Sequence, residues 1–138
     1  MRTFYVFRIS SDLSVLMEDT PYNLYKTLES IYLLNKESAS FGKDLLDQLI
    51  TPLEKDKISK TIYELNKDND FYMKVGDKHK IINKYRKEQT EIEVKNSHIL
   101  LKTNAFYKNI KNFLPSNYFF VCDFANKDYF WLSKLVQC

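Results

Sequence analysis

The residues of this chain that we consider first for chemistry are its two histidines, its two cysteines and, among its acidic residues, Asp123. His79 and His98 stand apart, and the spacing of a zinc site (Cys-x-x-Cys or His-x-x-x-His) is missing. Both histidines fall at predicted turns, where we expect exposed side chains. There is no Gly-x-Ser-x-Gly nucleophile elbow, and no cysteine has a histidine nearby in the sequence. The sequence therefore predicts no metal, no cofactor and no catalytic residue.

Asp123 is unusual because it lies inside an apolar, strand-like segment. An unpaired carboxylate would be costly there, so we expect it to be paired, hydrogen-bonded or placed at the strand end. One interpretation is a general base. The other is a turn aspartate that accepts hydrogen bonds from the backbone amides of residues 125–127. Apart from Cys122, which is expected to stay a buried thiol, no nucleophile, metal ligand or histidine is near it in sequence, which favours the turn.

Lysine supplies nearly all the positive charge. The chain has 21 basic and 18 acidic residues, a net charge of +3, and its arginines are Arg2, Arg8 and Arg86. Nucleic-acid recognition relies on arginine forks, whereas these lysines alternate with acids, as in residues 54–57. We therefore expect a solvated surface that binds no nucleic acid directly. An aromatic-rich sheet that stacks bases is the weakest alternative.

Length and composition predict one folded domain over residues 1–138. The 44% hydrophobic and 15% aromatic content can offset the chain entropy lost on folding. Cys122 is expected to stay a buried thiol, which is typical of a reducing compartment. The apolar run at residues 4–9 is too short for a signal peptide, and no run approaches the roughly 20 residues of a membrane span. We expect a cytoplasmic protein without a membrane partner.

The first part of the chain predicts a strand and then helices. Residues 3–9 alternate as a strand, and residues 12–17 form a short apolar segment of undetermined type. Thr20 and Pro21 are the residue types favoured at an N-cap and at the first helical position. A helix is therefore predicted from there to about Asn35.

Thr51 and Pro52 are interpreted as a helix end and a helix start. A helix over residues 41–50 is predicted to stop there, since the residue before a proline is pushed out of the helical region. Thr51 and Glu54 also have the spacing of a capping box, with Pro52 at the first helical position. We therefore expect the next helix to begin at Pro52.

From residue 70 onward the apolar period changes to two, which is typical of strands. Two hairpins, a helix capped by Asn104 and two closing strands are predicted, over residues 71–85, 90–103, 105–114 and 118–132. The sequence thus predicts an α+β fold with a mixed, mostly antiparallel sheet and helices packed on it.

This order of elements resembles that of acetyltransferase-like α+β proteins. An enzyme of that type needs a glycine-rich loop whose amides cradle the pyrophosphate of coenzyme A. Gly42 and Gly76 stand alone, and residues 100–104, before the predicted helix, have no glycine. We therefore expect an emptied version of that architecture, if the fold is of this type. An acetyltransferase-like enzyme that binds a CoA-type ligand is the alternative function.

The C-terminal pattern Asp-Phe-x-x-Lys-x-Tyr-x-Trp-Leu, at residues 123–132, closely resembles the signature of the SirA family, the sporulation inhibitors of DNA replication. Residues 4–9 and 49–52 also resemble that family. The resemblance covers roughly residues 2–34, 45–53 and 118–132. It implies a small non-enzymatic protein that docks on the N-terminal domain of the replication initiator DnaA. We expect a monomer that binds one-to-one, although the sequence leaves the oligomeric state open. The closing hairpin is implied to be structural.

The residues alone already favour a partner surface between Leu13 and Tyr25, because their apolar groups cover more than one helical face. Either Tyr22 or Tyr25 is expected to be left to bind. The resemblance implies the same region, with Leu13 and Met17 where relatives carry aromatic contacts, and residues 48–52 as a neighbouring contact. The alternative is that residues 13–17 simply pack over the sheet. The predicted partner-binding residues are Leu13, Leu16, Met17, Tyr22, Tyr25, Gln48, Thr51 and Pro52.

Overall fold

The structure is a computed structural model that describes residues 1–35, 48–105, 114 and 119–132. These residues form seven strands and three helices, which confirms the predicted α+β class. In chain order they are β1 (Arg2–Arg8), α1 (Ser11–Met17), α2 (Pro21–Asn35), α3 (Lys55–Asn66), β2 (Tyr72–Val75), β3 (Lys78–Asn83), β4 (Glu88–Val94), β5 (Ile99–Thr103), β6 (Phe119–Asp123) and β7 (Asp128–Trp131).

All seven strands belong to one sheet, in the order β2-β3-β4-β5-β1-β6-β7. Every neighbouring pair is antiparallel. The first strand of the chain is therefore an inner strand, paired with β5 on one side and β6 on the other. No helix among the described residues is long and apolar enough to cross a membrane.

Alternation along β1 divides the core between the two faces of the sheet. Phe4 and Val6 are buried on the face covered by α3, together with Ile58 and Ile62 of that helix. Phe7 belongs to the opposite face, which α1 and α2 cover, and it is buried with Leu24, Leu28 and Ile31 of α2 and with Phe120 and Trp131. The result is a three-layer arrangement in which helices pack on both faces.

The predicted hairpins are confirmed, and the first has a tighter turn than expected. Val75 pairs with Lys78, so the turn consists of Gly76 and Asp77 alone. Gly76 has φ +61°, the conformation that the first central residue of a type II′ turn requires. Because the turn takes only two residues, His79 lies within β3.

The capping box predicted at Thr51 is wrong. Helix α3 begins at Lys55, and the Glu54 side chain makes no capping hydrogen bond. The backbone amide of Thr51 donates to the carbonyl of Arg8 at 2.8 Å, and that of Leu53 donates to the carbonyl of Asn96 at 2.9 Å. These two bonds hold the segment in a non-helical path between β1 and the β4–β5 turn, so the proline cannot start a helix there.

Two predicted helices lie largely outside the described residues. Of the helix predicted over 41–50, Gln48 and Leu49 are described and are helical, whereas Ile50 forms an antiparallel bridge with Ile9. The helix predicted over 105–114 falls almost wholly outside them. The side-chain amide of Asn104 binds the start of β4, where its oxygen accepts from the amide of Gln89 at 2.7 Å.

Candidate partner-binding surface

Residues 12–17, whose type the sequence left undetermined, form helix α1. The amide of Ser14 donates to the carbonyl of Ser10 at 2.8 Å, and the buried Ser14 hydroxyl donates to the carbonyl of Ile9 at 3.4 Å. Leu13 and Met17 are half-buried against the core cluster beneath α2. One side of the short helix is therefore fixed to the end of β1.

The other side of α1 is apolar and open to solvent. Val15 and Leu16 are each 77% exposed. The alternative that residues 13–17 simply pack over the sheet thus describes Leu13 and Met17 but not Leu16. Sequence reasoning missed Val15, although its place beside Leu16 was a signal that the apolar residues extend beyond one helical stripe.

Of the two candidate tyrosines of α2, Tyr22 is 58% exposed and Tyr25 is 2% exposed. The Tyr25 ring stacks on Tyr129 at a centroid distance of 4.6 Å, and its hydroxyl donates to Glu29 at 2.8 Å. Burial, followed by the bond to Glu29, raises the pKa of the Tyr25 hydroxyl well above its ordinary value. The prediction that Tyr25 contacts a partner directly is therefore wrong, because its side chain belongs to the core and holds α2 in place. Tyr22 is the tyrosine left accessible.

The segment of residues 48–52 lies directly beside the end of β1. The amide of Ser10 donates to the carbonyl of Leu49 at 3.0 Å, next to the Ile9–Ile50 bridge. Antiparallel pairing therefore places Gln48 beside the start of α1. Gln48, Thr51 and Pro52 are all exposed. The two segments that were predicted to contact the partner are thus adjacent in the structure.

We call the resulting set of exposed residues the α1 surface. Gln48 lies near the start of α1, and Tyr22 follows its end, so the set extends along the whole helix. Three acidic residues, Asp12, Glu18 and Asp19, are exposed on or directly after α1 and give the apolar strip an acidic border. The members of the α1 surface are Val15, Leu16, Tyr22, Gln48, Thr51 and Pro52.

The C-terminal motif, residues 123–132, supports the α1 surface through contacts with α2. Phe124 stacks on Tyr32 of α2 at 4.5 Å, and Tyr129 lies under Tyr25. Trp131 is buried, in edge contact with Phe120 at 5.0 Å. The aromatic residues of the motif therefore pack against the inner side of α2, and α2 in turn fixes the end of α1.

Asp123 is a turn aspartate, as predicted. Its carboxylate accepts from the amide of Asn126 at 3.2 Å and from Nε of Arg2 at 2.9 Å, and Arg2 also donates to Asp128 at 2.8 Å. Burial opposes ionisation of Asp123, but the bonds from Asn126 and Arg2 outweigh it and hold the carboxyl pKa below its ordinary value. The charge closes the β6–β7 hairpin, and its hydrogen-bond partners are those of a structural ion pair.

The prediction that the His79 side chain is exposed is wrong. His79 is fully buried, with Nε2 2.8 Å from the Ser59 hydroxyl of α3 and Nδ1 2.7 Å from the Tyr72 hydroxyl of β2. Burial, and then the charge of Lys74, lower its pKa, so it is neutral at pH 7. The alternation of His79 with Ile81 was the signal that could have placed it inside. Its bonds join α3 to the first hairpin.

His98 is half-buried rather than exposed. Its ring lies 5.4 Å from that of Tyr5 and 5.8 Å from that of Phe7, between centroids. Burial lowers the pKa of His98 to about 4. Within the described parts of the chain, no group of three His, Cys, Asp or Glu residues could hold a metal ion.

The segment that would have to cradle a coenzyme A pyrophosphate is already hydrogen-bonded. Strand β5 pairs with β4 on one side and β1 on the other. Beyond it, the amide of Asn104 donates to the carbonyl of Gln89 at 3.2 Å, and that of Ala105 donates to the Thr103 hydroxyl at 3.0 Å. These amides are therefore not available to an anion at this position.

The comparisons with known proteins leave the family open. No family model matches this chain, and no curated protein matches it significantly. The resemblance of residues 123–132 and the two earlier segments to the SirA family stays a prediction from the sequence.

Proposed function

We propose that this protein is a non-enzymatic, cytoplasmic inhibitor of chromosome replication initiation, which docks on the N-terminal domain of the initiator DnaA through the α1 surface. The observation that carries the proposal is the 77% exposure of both Val15 and Leu16 beside the exposed segment 48–52. The choice of DnaA rests on the resemblance of three segments to the SirA family, and two of these segments adjoin at the Ile9–Ile50 bridge.

The composition of the α1 surface fits a protein partner. Protein interfaces have an apolar centre with a polar rim, and aromatic and aliphatic anchors supply most of the binding energy. Burying Leu16 or Tyr22 would contribute about 1.5–3 kcal/mol each before the costs of ordering are subtracted. The exposed Gln48 and Thr51 add hydrogen-bonding groups at the border.

The α1 surface is held in shape before any partner arrives. Leu13 and Met17 pack half-buried against the core cluster on the inner side of the helix, and the Ser10–Leu49 hydrogen bond ties its start to the neighbouring segment. Little backbone freedom is then lost on binding, which favours affinity.

The mechanism that follows from such a surface is occlusion. A rigid apolar helix covering part of the small DnaA domain would deny that area to the protomer or helper contacts that initiation needs. The acidic border of Asp12, Glu18 and Asp19 would favour a partner with basic residues around its apolar centre. Association would then slow as the salt concentration rises, because the charges lie at the rim.

Calorimetric titration of the full chain into the purified N-terminal domain of the cognate DnaA tests the proposal. We expect saturable one-to-one binding that Leu16→Glu weakens at least about tenfold, since a charge would replace a buried anchor. Leu16 is a sharper choice than Met17, whose half-buried side chain also stabilises the fold. Leu65→Glu is the matched control, because Leu65 is an exposed leucine, 53% accessible, on α3 across the sheet.

The outcomes separate the function from the site. If both glutamate variants bind as the unaltered chain does, DnaA binding stands and the α1 surface is not the interface. Absence of any heat at high micromolar concentrations would contradict the function itself. Thermal stabilisation by acetyl-CoA in the same preparation would support the enzyme alternative instead.

A further inference from the structure

Strand β2 is at one end of the sheet order, and none of the described residues pairs with its outer side. The amide of Ile82 donates to the carbonyl of Phe71 at 3.0 Å, so Phe71 faces β3. Backbone groups alternate along an antiparallel strand, so those of Met73 and Val75 also face β3, and those of Tyr72 and Lys74 face outward. The Tyr72 amide is bound to the carbonyl of Asn69 at 3.0 Å. The Lys74 amide and the outward carbonyls of Tyr72 and Lys74 have no hydrogen-bond partner among the residues that the structure describes.

One face of this edge carries an exposed apolar row. Met73 is 50% exposed and Val75 is 49% exposed, and Phe71 continues the row at alternate positions. A groove of about 480 Å³ adjoins it, and its lining includes Phe71, Met73, Ile82 and Tyr85. Tyr85, at the β3–β4 turn, is 90% exposed. Soluble proteins usually protect an edge strand with charge or cover, and Lys74 is the only charge within β2.

The sequence of β2 is complementary to itself in one antiparallel register. If Met73 faces Met73 of a second copy, then Phe71 faces Val75 of that copy, and the whole apolar row is matched. In the same register Lys74 lies opposite the ring of Tyr72, where a cation–π contact is favourable. The Lys74 amide then donates to the outward Tyr72 carbonyl, so each of the two Tyr72–Lys74 pairs forms one hydrogen bond, while the Tyr72 amide stays bound to Asn69.

The neighbouring registers are less favourable. A shift of two residues in one direction places Lys74 directly opposite Lys74 of the other copy, and like charges in that position are destabilising. A shift of two residues in the other direction places Tyr72 opposite Tyr72, and both hydrogen bonds of that pair would need Tyr72 amides, which already donate to Asn69. The pattern of charges and of used amides therefore favours the register centred on Met73.

We propose that the outer edge of β2 binds a second copy of this chain, extending the seven-stranded sheet across a two-fold axis at Met73. The interface is isologous, so each copy uses the same residues. It lies on the opposite edge of the sheet from β7, whose Tyr129 contacts Tyr22 of the α1 surface, and it does not depend on the proposed function. The monomer expected from the sequence is the low-concentration form of this equilibrium.

The dimer is expected to be weak. A pair of four-residue strands buries less than the roughly 1,200–2,000 Å² of standard stable interfaces, so dissociation constants near about 100 µM are expected. The Lys74 amide would become protected from hydrogen exchange as the protein concentration rises, whereas amides that already face β3 would not change.

Sedimentation equilibrium of the full chain between about 10 µM and about 1 mM tests the proposal, because that range brackets the expected constant. We expect reversible dimerisation that Met73→Glu weakens at least about tenfold, since two charges would face each other in place of two apolar side chains. Leu65→Glu, an exposed apolar residue on α3, is the control and should dimerise unchanged.

A backbone variant tests the outward hydrogen bond, which Met73→Glu leaves in place. Lys74→Pro removes the outward amide and no ladder bond to β3, so the fold should survive while dimerisation is lost. A chain that stays monomeric throughout the concentration range would overturn the proposal, as would a dimer that Met73→Glu and Lys74→Pro leave intact. Leu16→Glu should dimerise normally, so failure here and failure of the α1 surface are distinguishable.

Discussion

Around β1, β6 and β7 both faces of the sheet are covered, whereas around β3 and β4 one face carries lysines opposite glutamates. Lys78 pairs with Glu93 and Lys80 with Glu91 in register, and the Lys78 ammonium lies 3.1 Å from the Glu91 carboxylate. Among the described residues of β1, β6 and β7 themselves, the ion pairs are Arg2–Asp123 and Arg2–Asp128. Aromatic packing dominates the first half and solvated charge the second.

This difference indicates that the covered half fixes the positions of the helices, whereas the half with solvated charges has a surface available for interaction. The stacked rings of Tyr25, Phe124 and Tyr129 hold α2, and with it α1, at a defined place. The half around β2 is held mainly by its ladder and by the His79 bonds to Ser59 and Tyr72. Substitutions should therefore change stability much more in the covered half.

The largest effect is expected for Phe120→Ala. Phe120 is fully buried in β6, in contact with the rings of Trp131 and Tyr129. Its truncation should lower the free energy of unfolding by about 3–5 kcal/mol, measured by urea denaturation. Val75→Ala, in the exposed half, should cost less than about 1 kcal/mol. Equal losses in the two variants would break the comparison.

Ion pairs provide a second, smaller contrast. Arg2→Gln leaves the buried Asp123 carboxylate without its cation, which should cost about 1–3 kcal/mol. Lys78→Gln removes one member of an exposed pair and should cost less than about 1 kcal/mol. Chemical denaturation at low and high salt measures both, and only the Lys78 effect should vanish at high salt. A salt-sensitive Arg2 effect of the same size would contradict this distinction.

The smallest effect at neutral pH is expected for His98→Phe, which keeps a ring between Tyr5 and Phe7. Burial mainly lowers the pKa of His98, Lys95 adds to the shift, and Glu93 opposes it. The folded-state pKa of about 4 lies below the ordinary 6.5, so the stability from the neutral ring is complete above pH 6.5 and is lost as the pH falls toward 4.

Urea denaturation from pH 7.5 to 4 measures this loss. The unaltered chain should lose stability faster than His98→Phe on acidification, while His79, present in both proteins, contributes equally. If the free energies of unfolding of the two proteins fall in parallel with pH, folding does not change the pKa of His98, which would contradict the prediction.

The strands were predictable because their signals are local. Alternating apolar residues with short polar turns defined the hairpins, and Thr20 with Pro21 placed the start of α2. The start of α3 was not predictable, since the bonds that keep Thr51 and Leu53 out of a helix come from Arg8 and Asn96, which are distant in sequence. Local spacing cannot show such competition.

For the candidate site, the sequence predicted the region, but it did not predict which of its side chains are buried and which are exposed. Leu13, Leu16 and Met17 were named together, and burial then separated Leu16 from the other two. Tyr22 and Tyr25 lie three positions apart on neighbouring faces, so only the position of Phe124 and Tyr129 decides which one is covered. The β2 edge was predicted as part of a hairpin, and its exposure depends on the strand order.

The inner position of β1 governs when the molecule can form during synthesis. β1 is translated before either of its neighbours, and its register joins Arg2 to Thr103 and Tyr5 to Cys122. Contacts between residues so far apart in sequence slow folding, and the first strand waits with its apolar side chains unpaired until β5 and β6 have left the ribosome. Helix α1 is bonded to the end of β1 and would therefore reach its final position only late in translation.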